Sequence, residues 1–351
     1  TVSPTINHRD SPEFVVSAFT LGVSHPAGFP TYNLLAKAFT FFPFGSIAFK
    51  VNLFSAFFAC MTLVTLYAAA IRFLVLVYPD EDRTRFFGPA LLSAGLLAFS
   101  APFWFHSLVA EVYTLHSFFI SLILLLLLLW REKDDVRYLY SAALMYGLSS
   151  GNHATMAFLL PAILVLYFCW NRQNAARHLL ISVLFFLIGL SVYGYLPIRS
   201  LAEPSMDWGN PETLKGFLYH VTDRKDADTH FSYFRDSAVG AETVTVSLWV
   251  SAVLGKIWNV ARTFLTDVWT HLTPLATLGF LAGAALCWKR NRPLFVFTFL
   301  IVAINAAFFV GWRKESYFSS YIVVCLFTAV ALFAVLFRDK EPKGPKEKKV
   351  C

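Results

Sequence analysis

Two carboxylates three residues apart, Asp10 and Glu13, stand at the head of the apolar stretch Phe14–Leu21. That spacing puts both on one face of a helix, where a carboxylate can take the proton of a hydroxyl as a general base. The same residues fit a capping box, with Asp10 as N-cap, Pro12 in the first turn and Glu13 reaching back. A fixed cap is also a positioned carboxylate, so the two readings coexist. The run Leu21–Pro30 follows, with two prolines and two glycines around His25. It predicts a structured loop in which His25 either ties the loop together or faces a ligand phosphate.

Further groups recur at the ends of apolar runs. Glu111-Val112-Tyr113 sits at a turn with apolar neighbours on both sides, and an acid at membrane depth is costly and often functional. Gly151-Asn152-His153 lies between two runs too short for a comfortable crossing, so this turn is expected to sink and line a cavity, or else to act as a plain helix cap. Arg199 ends another run and leads to Asp207-Trp208; Arg313 stands at a similar boundary. An arginine there either snorkels to the interface or clamps a phosphate with its planar fork. No phosphate-loop glycine motif, nucleophile elbow or metal-ligand spacing occurs. No cofactor is therefore expected, and no residues are assigned to a metal.

The elements that must position these groups follow from composition. Of 351 residues, 57% are apolar and 15% charged, against about 25% charged in soluble domains. This excludes a soluble enzyme, a disordered chain and a disulfide scaffold. It predicts an all-α, polytopic helical bundle in a membrane. Apolar runs fall at about 47–78, 88–107, 115–130, 138–151, 154–170, 179–197, 265–288, 293–311 and 317–337. The short segments 79–85, 131–137, 171–178 and 289–292 with the tail 338–351 hold 16 Lys/Arg in 40 residues; the complementary segments hold 11 in 126. The positive-inside rule then predicts nine spans, with 138–170 crossing twice. The expected organisation is an outer segment 1–46 with interfacial helices, spans one to six over 47–197, an outer loop 198–262, spans seven to nine over 263–337, and a basic cytoplasmic tail 338–351. The net charge of +7 thus reports orientation rather than nucleic acid. All the candidate residues lie on the outer side.

Asp10-Ser11-Pro12-Glu13-Phe14, followed by Leu21-Gly22-Val23-Ser24-His25-Pro26-Ala27-Gly28-Phe29-Pro30, resembles the opening signature of a polytopic membrane family of the protein O-mannosyltransferase type. Pro43–Ala48 with Val51-Asn52-Leu53, Ala110–Tyr113, Gly147–His153 and Leu196–Ile198 through Trp208-Gly209 to Phe217 agree with it. The resemblance covers residues 8–222 strongly. Pro12 stands where the family usually has glycine, and the family's first membrane helix is not seen ahead of this signature. The resemblance implies that such a span precedes the chain.

The family resembles GT-C glycosyltransferases, which take sugars from polyprenyl-phosphate carriers. The resemblance implies Asp10 and Glu13 at the catalytic centre and Arg199, His25, His153 and Arg313 around the donor phosphate. It also implies Glu111, Tyr113, Asn152, Asp207 and Trp208 in the substrate cavity. The implied partners are membrane lipids, the polyprenyl-phosphate sugar and a protein or other hydroxyl acceptor. The implied setting is the outer or lumenal face of a bacterial inner membrane or the endoplasmic reticulum. The rival readings are a transporter or channel, for which short helices around polar turns speak, and a non-catalytic assembly subunit.

Overall fold

A computed structural model describes residues 2–170, 175–223, 246–309 and 317–337. Among these residues the fold is built from helices, and the one β-type pairing is an isolated parallel bridge between Val23 and Asp207. Two short helices, α1 (Ser11–Thr20) and α2 (Pro30–Thr40), precede the 31-residue α3 (Ile47–Val77), whose N-cap Ser46 accepts from the Phe49 amide. Then follow α4 (Phe87–Ala98), α5 (Ala101–Ser107), α6 (Tyr113–Lys133), α7 (Val136–Ser150), α8 (Leu160–Trp170) and α9 (Ala175–Leu190). The chain continues through α10 (Tyr195–Ser200), α11 (Leu214–Val221), α12 (Val246–His271), α13 (Pro274–Arg290), α14 (Arg292–Phe309) and α15 (Phe318–Phe337).

Five stretches are long and apolar enough to cross a membrane: α3, α6, Ala175–Ser200, α14 and α15. The run read at 88–107 is broken: Arg83–Ala98 and α5 meet at 70°. Pro102 lies in the first turn of α5 and has no amide to continue the ladder. The break expected at Gly151-Asn152-His153 is present, followed by a 3-10 turn over Ala154–Leu159. The run 265–288 is not one helix. It is interrupted at Leu272-Thr273, where the Thr273 hydroxyl caps α13 at the Ala276 amide and Pro274 starts the new helix. The stretch 246–262, read as loop, belongs to α12.

α15 is the central helix, buried at every position from Phe318 to Ala331, as expected of a helix apolar all round. α3 runs along α6, with the Thr65 and Ser121 hydroxyls bonded across them at 2.5 Å. α7 and α9 meet backbone to backbone. A Cβ at Gly147 would lie 2.1 Å from the Phe186 carbonyl oxygen, and one at Gly189 2.4 Å from that of Leu144. Such small-residue contacts give membrane helices their close packing, since apolar burial drives little association in lipid.

Three of the basic short segments, 79–85, 131–137 and 289–292, lie at one end of the bundle. Arg72 and Arg83 both pair with Glu132, at 3.2 and 3.1 Å, and Asn291 bonds the Leu76 carbonyl. At the other end, Thr31 donates to the carbonyls of Leu148 and Gly151, Asn52 to those of Ser3 and Thr5, and Ser3 to that of Leu108. The charges that sequence placed inside spans are all partnered. Lys50 reaches the Thr40 carbonyl, Arg72 is paired with Glu132, and Asp267 accepts from Tyr321 and, at 3.0 Å, pairs with His271. The α7–α9 contact is directly testable. Gly147→Val should lower stability by about 1–3 kcal/mol, read as a drop in melting temperature in detergent, while Ala143→Val one turn earlier should have a much smaller effect.

Candidate active site

The site is built around an irregular loop that membrane proteins tolerate only when its backbone groups are satisfied internally. Residues 21–29 leave α1 through Leu21, in the left-handed region at φ 55°, and return into α2. Asn33, fully buried on α2, gathers the loop. Its amide donates to the Gly22 carbonyl, the Ser24 hydroxyl and the Gly28 carbonyl at 3.1–3.3 Å, and its carbonyl accepts from Ser17 at 2.9 Å. Gly28, at φ 85°, has no room for a side chain: a Cβ would sit 2.7 Å from Leu196. From outside the loop, Tyr195 donates to the Gly22 carbonyl and His220 to the Ser24 carbonyl at 3.0 Å, while Val23 forms the bridge to Asp207.

This framework encloses a cavity of about 820 Å³. Asp10, His25, Glu111, Tyr113, His153 and Trp208 line it, together with Tyr219, His220 and Asp223 from the far side. Phe14, Phe29, Phe158, Phe308 and Phe309 supply the apolar walls. Four of the groups that sequence chose for chemistry, two acids and two imidazoles, thus face one space although they come from three separate segments.

Asp10 occupies the N-cap position of α1, but its backbone is in the helical region and its side chain makes no cap hydrogen bond. The capping box is therefore not formed, and the carboxylate belongs to the cavity. Glu13 turns to His25 instead of reaching back. One of its oxygens meets the His25 amide at 2.6 Å and the ring Nδ1 at 2.9 Å. Such a carboxylate fixes the ring and favours the tautomer with hydrogen on Nδ1. Glu111 is 3% exposed, its amide donating to Ser55 at 3.5 Å. Burial first and the Glu111 charge second push the Tyr32 phenol well above its ordinary range.

His153 carries the clearest electrostatic statement. Its Nδ1 caps the 154–159 turn at the Thr155 amide and lies 2.8 Å from the Thr155 hydroxyl. The amide contact makes Nδ1 the acceptor and places the hydrogen on Nε2. The ring packs against His116 and Tyr113, with centroids 4.9 and 5.9 Å away. Burial, and then the neighbouring His25, bring its pKa down to about 4. The expectation of a cationic phosphate donor gives way to a neutral N–H donor. Burial likewise lowers the pKa of His220.

Three expected site residues are used structurally. Arg199 does not line the cavity. Its Nε and one terminal nitrogen donate to the carbonyls of Leu21 and Thr20, at 2.8 and 3.3 Å, where a cation complements the C-terminal end of α1. Asn152 is fully buried and donates to the Val112 carbonyl, tying its turn to the Glu111 segment. Asp207 accepts from Ser200 at 2.7 Å and serves the bridge. Arg313 lies outside the described residues. His220, Tyr219, Thr155 and Asn33 were not singled out from sequence. His220 could have been flagged as an imidazole inside the matching stretch, whereas nothing in the sequence marks Asn33. Among the described residues no cluster of three or more His, Cys, Asp or Glu side chains could hold a metal.

The helices and the cavity define a helical membrane protein with an acid- and imidazole-lined chamber at one end of the bundle. Residues 10–177 match the family described as the Protein O-mannosyl-transferase TMEM260 N-terminal domain, and the motif resemblance from Asp10 to Pro30 is to this same family. Mouse protein O-mannosyl-transferase TMEM260 is 29% identical over 315 residues, covering 87% of this chain and 41% of the mouse protein. The Dictyostelium discoideum protein O-mannosyl-transferase tmem260 is 24% identical over 322 residues, 85% of this chain and 37% of its own length. The chain spans about two fifths of the curated relatives it matches.

Two outcomes follow from the geometry. Because the folded His153 takes its proton near pH 4 and the unfolded one near 6.5, the unfolded state binds more protons between these values, and stability rises with pH there. Thermal melting should therefore be level in this respect above pH 6.5 and fall as pH drops towards 4, and the fall should be smaller in His153→Asn. For Arg199, Ala substitution should cost on the order of 1–2 kcal/mol of stability through the lost charged hydrogen bonds. The effect should appear in melting temperature, with the folded fraction keeping its affinity for ligands of the cavity.

Proposed function

We propose that this chain is the membrane portion of a glycosyltransferase that moves a mannosyl residue from a polyprenyl-phosphate carrier to a Ser or Thr hydroxyl of a protein. The observation that carries this reading is the convergence of Asp10, Glu111, His25 and His153 on one cavity. It is supported by the names of the relatives that share the stretch. A nine-crossing arrangement is part of the proposal, with α4–α5, α7, α8 and α13 as short crossings beside the five long ones. The cavity end is the non-cytoplasmic one, since the segments forming it carry few basic residues.

In the proposed reaction, the acceptor oxygen bonds to the anomeric carbon from the side opposite the carrier, and configuration inverts. The carbon–oxygen bond to phosphate breaks with its electron pair leaving on the phosphate. Asp10 takes the hydroxyl proton, acting as general base. His153, neutral with hydrogen on Nε2, donates a hydrogen bond to the departing oxygen without carrying charge away from the site. His25, braced through Nδ1 by Glu13, is the second donor in its charged form, which carries a hydrogen on Nε2 as well and has Glu13 as its counter-ion. Glu111 accepts from sugar hydroxyls. Trp208 and Tyr219, each about half exposed at the rim, meet the acceptor side.

Purified wild-type protein and Asp10→Asn, supplied with polyprenyl-phosphate mannose and a Ser/Thr peptide, provide the test. A base predicts a rate loss of about 10²–10⁴ with unchanged melting temperature. Near-full transfer by a folded Asp10→Asn would remove Asp10 from the mechanism, and absence of transfer by the wild type with any polyprenyl-phosphate sugar would remove the reaction.

A further inference from the structure

The Asn33 amide that gathers the 21–29 loop donates to neither pole of the peptide unit between Ser24 and His25. Other residues hold that unit at both poles. Its N–H donates to Glu13 at 2.6 Å, and its carbonyl accepts from Nε2 of His220 at 3.0 Å. A planar peptide tied at both ends does not turn freely, and the His25 side chain leaves the backbone beside it. The Glu13 oxygen that takes the amide also meets the ring Nδ1 at 2.9 Å. Backbone and ring of His25 are thus set by a carboxylate on one side and an imidazole on the other.

His220 belongs to α11, 196 residues from Ser24 in sequence, and its ring has little room to move. It is 2% exposed and lies in a slot between two glycines in the left-handed region, Gly28 at φ 85° and Gly209 at φ 68°. A Cβ on Gly28 would lie 3.2 Å from Nε2, and one on Gly209 2.8 Å from Nδ1. A side chain at Gly209 would therefore push the ring out of its place.

The partner decides the tautomer. A carbonyl oxygen only accepts, so Nε2 carries the hydrogen. Burial lowers the pKa of the ring, which leaves Nδ1 with a lone pair when the ring is neutral. His220 lines the polar cavity, yet in this state it has no hydrogen to offer a phosphate oxygen. Its one donor is spent on the loop.

We infer that His220 is a positioning residue, acting through the Ser24 carbonyl to hold His25 where Glu13 keeps the hydrogen on its Nδ1. This deepens the proposed function, on which the part given to His25 rests. His220 itself touches neither the departing oxygen nor the acceptor.

The first test needs no sugar transfer. In the full chain carrying ¹⁵N-labelled histidine, imidazole nitrogen shifts at a pH where the rings are neutral report which nitrogen of His25 holds the hydrogen; His25→Gln identifies its signals. Wild-type His25 is expected to hold it on Nδ1. His220→Phe keeps the ring volume without the N–H and should move His25 towards the tautomer mixture of an unheld imidazole, at unchanged melting temperature. His220→Gln, whose amide reaches the same carbonyl, should restore the wild-type pattern. Should the Phe variant not fold, His220→Asn, too short for that carbonyl, makes the same comparison. A folded variant lacking this hydrogen bond but keeping His25 in the wild-type state would overturn the inference, as would a Gln variant no better than Phe.

Transfer is the second readout. His220→Phe should lower kcat about tenfold with little change in acceptor KM, and His220→Gln should recover most of the loss. In a His25→Gln background, His220→Phe should add less than about twofold, since residues acting through one another are not additive. Two fully additive losses would make His220 independent of His25 and overturn the inference. If the wild type transfers from no polyprenyl-phosphate sugar, the proposed function falls, while the tautomer measurement still decides the role of His220.

Discussion

Asn33 is the point on which the outer end depends. An irregular segment set into the end of a membrane bundle must find hydrogen-bond partners inside the protein. One buried amide satisfies two carbonyls and a hydroxyl of the 21–29 loop while accepting from α1. Everything placed in the cavity by that loop inherits its position from this amide. The loop in turn receives bonds from Tyr195, Arg199 and His220 or leans on them, which joins the N-terminal segment to a part of the chain some 170 residues later. The loop's shape and the closure of the chamber are therefore one constraint.

Glu13 and His153 illustrate how the same side chain can serve structure and chemistry. Glu13 spends one oxygen on both the amide and the ring of His25, which holds the loop and orients the imidazole at once. His153 caps a 3-10 turn with one nitrogen and keeps the hydrogen on the other. A neutral donor in the cavity shared with Asp10 and Glu111 adds no positive charge to it.

Much of this was legible in the sequence where a single physical quantity decides. Transfer free energy marks the apolar runs, and the Lys/Arg distribution sorts their ends. Of the segments grouped as one side, 79–85 and 131–137 meet through Arg83 and Glu132, and Asn291 of 289–292 bonds Leu76 at the end of α3. Asp10, His25, Glu111 and His153 could be chosen because polar groups at helix ends in an apolar chain are few. What could not be read was direction. The Asp10 cap and the Arg199 clamp were both chemically sound, yet the Asp10 side chain makes no cap hydrogen bond and Arg199 donates to the carbonyls at the end of α1. The 272–273 interruption was hidden because hydropathy averages over a proline that costs it little. Asn33 was invisible because a lone buried amide has no sequence pattern.

The length of α3 works as a ruler for depth. At 1.5 Å per residue its 31 residues extend about 46 Å, which matches the ~40–45 Å of a bilayer counted from headgroup to headgroup rather than its ~30 Å interior. Ser55, which receives the Glu111 amide, stands nine residues from the cap Ser46, hence about 13 Å down that ruler. With Ser46 at the level of the headgroups, Glu111 lies below the plane of the surrounding lipid phosphates. Whatever reaches it must pull a polar group inward past the headgroup layer, so a thicker or thinner bilayer would change the distance that group has to travel.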